Sequence, residues 1–115
     1  MADTDDFHDF REAVTDHATH HEAAQQMKVA RTCLEMGMTD EAIQALTIAA
    51  AAPRHRFDAS AMLGRVYRDR GDFARAVEWF ERAAGVPAPS APEAQALLTD
   101  LDAARAAART PAEGD

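Results

Sequence analysis

"MLGRVYRDRGDFARAVEWFERA" (Met62 to Ala83) sets large apolar, small and charged residues in a fixed rhythm. Leu63, Gly64 and Tyr67 precede Gly71, and Ala76, Phe80 and Ala83 follow it, each set at helical spacing. A glycine closing an apolar-periodic run suits the left-handed end of a helix. Asp72, directly after it, can accept a hydrogen bond from the first turn of a second helix. The stretch therefore reads as helix, tight turn, helix.

The same grammar occurs once more upstream. Gly37 and Gly71 lie 34 residues apart, and in that register Val29 maps to Leu63, Ala30 to Gly64 and Cys33 to Tyr67. Downstream, Ala42 maps to Ala76, Leu46 to Phe80 and Ala49 to Ala83, with Thr39 as the expected cap of the helix after Gly37. The small residues Ala30/Gly64 and Ala42/Ala76 are expected to let paired helices approach closely. Leu46, Phe80 and Tyr67 then fill the space between units.

This pattern closely resembles the tetratricopeptide repeat: Leu63-Gly64, Tyr67, Gly71, Phe73, Ala76, Phe80 and Ala83 fall where that motif expects them. The upstream unit "VARTCLEMGMTDEAIQALTIAA" resembles it too, with Cys33 in place of an aromatic and Pro53 and Pro87 displaced from the usual proline position. The resemblance implies an all-α fold, a short α-solenoid of antiparallel helix pairs with flanking N- and C-terminal helices. Repeats are expected at about 23–56 and 57–90, within a solenoid over 19–109. A third unit is half made. Leu97, Leu98 and Leu101 fall under Leu63, Gly64 and Tyr67, yet at Arg105 the helical pattern continues where a turn glycine would stand. "SAPE" (Ser90 to Glu93) forms a capping box with Pro92 near the helix start, so a capping helix over about 92–109 is expected, then a tail at 110–115.

The first 18 residues do not repeat. They form an acidic segment in which Phe7, Phe10 and Val14 mark an apolar stripe of a short helix, followed by a capping box at Thr19 and Glu22. Residues 1–16 carry six carboxylates against Arg11, whereas residues 54–70 carry five arginines against Asp58 and Asp69. Two readings of the segment stand open: a cap over the first repeat, or an acidic strand of chain that occupies the solenoid's own groove.

Composition narrows the function. The net charge of −8 argues against a broad nucleic-acid face, and no apolar run approaches the roughly 20 residues of a membrane span. "MADTDDF" lacks the basic and apolar regions of a secretory signal. The single cysteine, Cys33, cannot form an internal disulfide. A cytoplasmic protein is expected. Eleven arginines against Lys28 alone suggest a GC-rich bacterial genome. No glycine-rich phosphate loop and no nucleophile with a neighbouring base is present, so neither catalysis nor a cofactor is expected. His17, His20 and His21 stand at spacings that could bring two imidazoles to one ion, but a third and fourth ligand are missing. The reading is a solvated junction, with no metal. Cys33 is expected to be an inert core thiol, and Trp79 to lie between repeats or on the convex surface.

The resemblance also implies a concave groove lined by first helices. Carried over by register, its wall is Ala24, Met27, Arg31 and Glu35, then Asp58, Ala61, Arg65 and Arg68, then Gln95, Thr99 and Asp102. Arg31, Arg65 and Arg68 with Lys28 nearby make a basic focus, and Met27 an apolar contact. Guanidinium groups bind carboxylates bidentately. The expected function is a non-enzymatic interaction module that takes an acidic or mixed acidic/apolar protein segment at Met27, Lys28, Arg31, Ala61, Arg65 and Arg68. The alternative is a homo-oligomeric assembly element, a homodimer in the simplest case, of a larger bacterial complex of pilus, motility or secretion type.

Overall fold

The computed structural model describes residues 20–109. They form five α-helices and no strand: α1 over 20–35, α2 over Thr39–Ala50, α3 over Arg56–Asp69, α4 over Phe73–Ala84 and α5 over Ala91–Arg109. A single 3-10 turn, Pro53–His55, joins α2 to α3. The expected helical-repeat architecture is present. The acidic N-terminal segment, the box at Thr19, His17 and the tail lie outside the described residues. No helix within them is long and apolar enough to cross a membrane.

The two glycine turns repeat down to their hydrogen bonds. Gly37 and Gly71 have φ of 79° and 83°, a conformation glycine adopts without a steric penalty. The Met38 N–H donates to the Cys33 carbonyl at 2.7 Å, and 34 residues on Asp72 N–H donates to the Tyr67 carbonyl at 2.9 Å. Both bonds are the long closure of a Schellman turn, which satisfies a carbonyl the helix end would otherwise leave open. The starts of the following helices differ. Asp72 caps α4 by accepting from Arg75 N–H at 3.2 Å, but Thr39 is the first residue of α2 and caps nothing, the N-cap being Met38. At α5 the Ser90 hydroxyl accepts from Glu93 N–H, while the Glu93 carboxylate takes the Ser90 O–H at 2.9 Å instead of a backbone N–H.

Two apolar clusters share α3. One joins Ala23, Met27 and Ala30 of α1 to Ala45, Leu46 and Ala49 of α2 and to Ala59, Leu63 and Val66 of α3. The other joins Phe57 and Ala61 of α3 to Ala76, Phe80 and Ala83 of α4 and to Leu97, Leu101 and Ala104 of α5. Because α3 packs on both sides, it is buried around most of its circumference. Gly64 makes this possible, since a Cβ there would overlap the Phe80 ring. In the first repeat the same register holds Ala30 and Leu46, both fully buried. The larger helix-contact residue is thus matched with the smaller partner. α2 ends without a glycine or a basic residue of its own, and Arg56 supplies what is missing. Its Nε donates to the Ala50 carbonyl at 3.1 Å and its Nη2 to the Ala51 carbonyl at 2.8 Å, placing positive charge at the negative end of the helix.

Candidate functional site

Helix α3 carries Arg65 and Arg68 on adjoining turns, and α5 lies beside it. From α3, Arg65 Nε donates to Asp100 Oδ2 and Arg68 Nη1 to Asp100 Oδ1, each at 3.4 Å. One carboxylate therefore holds two guanidiniums, and Arg68 Nε also donates to Asp69 Oδ1 at 3.3 Å. The side chains of Arg65 and Arg68 are 44% and 34% exposed, against 25% for Asp100. The arginines remain reachable by a partner while Asp100 fixes their direction. Ion pairs this exposed add little to folding. Their consequence is positional.

The other expected groove residues separate. Met27 is 3% exposed and Ala61 is 2% exposed, so both are core residues and not groove contacts, which corrects the sequence reading. Met27 packs between α1, α2 and α3, and Ala61 in the α3–α4–α5 cluster. Each helix is packed on two sides, and the inward arc is wide enough to include them. Arg31 and Lys28 are exposed on α1, and neither forms an ion pair among the described residues. Lys28 borders a separate depression with Gln25, Val29, Thr32 and Cys33. Asp58 is half-buried, and Gln95, Thr99 and Asp102 are exposed on α5.

Asp100 was not legible from the repeat. The 34-residue register places it under Val66, a buried apolar position. A carboxylate breaking an apolar register opposite two arginines was the only signal. Cys33 is buried, as is Ser60, while Trp79 is half-buried against the first cluster. The His20 and His55 rings stack with centroids 5.0 Å apart. Among the described residues no three His, Cys, Asp or Glu side chains gather as a metal site would require.

Compared with known proteins, residues 33–101 match a family model described as tetratricopeptide repeat. That match spans both glycine turns, all of α2, α3 and α4, and the Asp100 anchor. No curated protein matches the chain.

Proposed function

Because the chain belongs to the tetratricopeptide repeat family, whose repeats generally mediate protein–protein interaction, we propose that it is a non-enzymatic module that binds an acidic protein segment across α3 and α5. The observation that carries this reading is the Asp100-anchored arginine pair. Two guanidiniums share one carboxylate at 3.4 Å, and although Asp69 on Arg68 brings the four charges into balance, both Nη groups of Arg65 and Nη2 of Arg68 are left as donors. An incoming carboxylate finds both arginines already directed, which lowers the ordering cost of binding. Arg31 on α1 extends the same chemistry, and Glu35, Asp58 and Asp102 along the first helices favour a ligand of mixed charge. Arg65→Glu with Arg68→Glu tests it. The double change is expected to leave the far-UV dichroism intact and weaken an acidic peptide, most strongly at low salt. Loss of the fold with unaltered binding would place the site on another face.

A second reading, self-assembly, is favoured by one specific feature. Leu98 is 50% exposed at a small apolar cleft it shares with Phe57, Val86, Ala88 and Leu97, and in the 34-residue register it stands where Gly64 meets Phe80 of the following helix. Light scattering across a concentration series separates the readings: a tight dimer that Leu98→Glu dissolves supports assembly, and a monomer refutes it.

A further inference from the structure

A groove of about 380 Å³ runs between the end of α2, the start of α3 and the end of α4, walled by Ala50, Ala51, Arg56, Ser60, Trp79 and Arg82. It opens on a different side of α3 from the Asp100 cluster, because five residues separate Ser60 from Arg65, a rotation of about 140°. Its composition is unlike a packing fault. Ser60 is 1% exposed and is the one buried polar residue among the described residues, yet its hydroxyl has no hydrogen-bond partner. Buried polar groups are almost always paired, and Ser60 sets a polar point in the otherwise alanine-rich floor of the groove. The Arg82 guanidinium lies 4.4 Å over the Trp79 ring, which orients the cation and leaves its edge donors available. Arg56 spends Nε and Nη2 on backbone carbonyls and keeps Nη1. No carboxylate lines the groove. It fits an anionic group carried beside an apolar one.

The chain itself supplies such a segment. Residues 5–16 read "DDFHDFREAVTD", which places Asp5, Asp6 and Asp9 around two phenylalanines. The described chain begins at His20, whose ring stacks on His55, the residue before Arg56. From Val14 to His20 an extended chain reaches about 20 Å, enough to bring the stretch to the groove. Tethering holds it near at roughly millimolar local concentration. We propose that the groove between α2, α3 and α4 is the intramolecular docking site of this acidic stretch, its carboxylates on Arg82 and Arg56 and a phenylalanine against the Ala50–Trp79 wall. Residues 5–16 lie outside the described residues, so the proposal stands on the groove, on the place where the described chain starts and on charge complementarity.

The test uses the full chain with Phe10 replaced by the photo-crosslinker p-benzoylphenylalanine, irradiated and mapped by mass spectrometry. The expected product is an intrachain link to the segment containing Thr47 to Ser60 or to that containing Trp79 to Gly85. Arg82 is exposed, so Arg82→Glu should keep the fold, checked by circular dichroism, and abolish the link. Asp5→Lys, Asp6→Lys and Asp9→Lys on the otherwise unchanged chain should abolish it as well, because the lysines would face Arg56 and Arg82. The proposal is overturned by a link to the outer face of α1 around Val29, by a link between two copies, or by a link that Arg82→Glu leaves unchanged.

Discussion

Gly64→Ala, the smallest change available in the core, should destabilise the protein although it favours the helix. Alanine in place of a helix-interior glycine gains about 1 kcal/mol of propensity. Against this, the new methyl group overlaps the Phe80 ring. The ring is fully buried and is walled by Ala76, Ala83 and Leu97, so it has nowhere to retreat. Overpacking of this kind costs about 1–3 kcal/mol. The net loss expected is about 0–2 kcal/mol, up to roughly 15 °C in Tm for a domain of this size. Phe80→Leu alone should also cost, by a part of the roughly 3–5 kcal/mol of a full Phe→Ala truncation. Together the two changes recreate the Ala30/Leu46 pair of the first repeat, and the double variant should recover about 1–2 kcal/mol relative to the sum of the singles. Urea unfolding of all four proteins, followed by circular dichroism, gives the coupling directly. If Gly64→Ala stabilises the chain and the two effects simply add, helices α3 and α4 do not meet at this point and the packing argument fails.

Other expectations follow from single features. Gly71→Val forces a β-branched residue to φ near 83° and should cost on the order of 1–3 kcal/mol; an unchanged Tm would remove Gly71 from that turn. Arg56→Ala leaves the Ala50 and Ala51 carbonyls without their donor and should lower stability by about 1–2 kcal/mol, with faster amide exchange confined to the last turn of α2. Asp100→Ala should change stability by less than about 1 kcal/mol while weakening an acidic peptide, since Arg65 and Arg68 lose the carboxylate that directs them. Tighter binding instead would mean that Asp100 acts chiefly as an internal competitor.

The helices were legible where backbone rules dominate. Gly37 and Gly71 mark positive φ, and Asp72 and Ser90 were identified as caps from residue type and spacing alone. Thr39 was not, because a hydroxyl one residue too late sits inside the first turn and cannot reach the orphan N–H groups. The site was harder to read. Met27 and Ala61 occupy equivalent register positions, and an apolar residue there serves a groove or a core equally well until the packing on both flanks is known. The groove arginines were visible as charges, but their anchor was not. Asp100 comes from α5, where the repeat is incomplete and the 34-residue register points to an apolar position. Pairing between side chains 32 and 35 residues apart is a product of how α3 and α5 pack, which periodicity does not encode.

The central claim is that an acidic segment binds across α3 and α5 through Arg65 and Arg68. Its most direct test is selection of binding peptides from a random display library on the folded full-length protein, followed by titration of the selected sequences against the wild type and the Arg65→Glu/Arg68→Glu variant. The account predicts acid-rich peptides that lose about tenfold or more in affinity to the variant and whose binding weakens with salt. Neutral or basic selected peptides, or acidic ones that bind the variant as tightly, would contradict it.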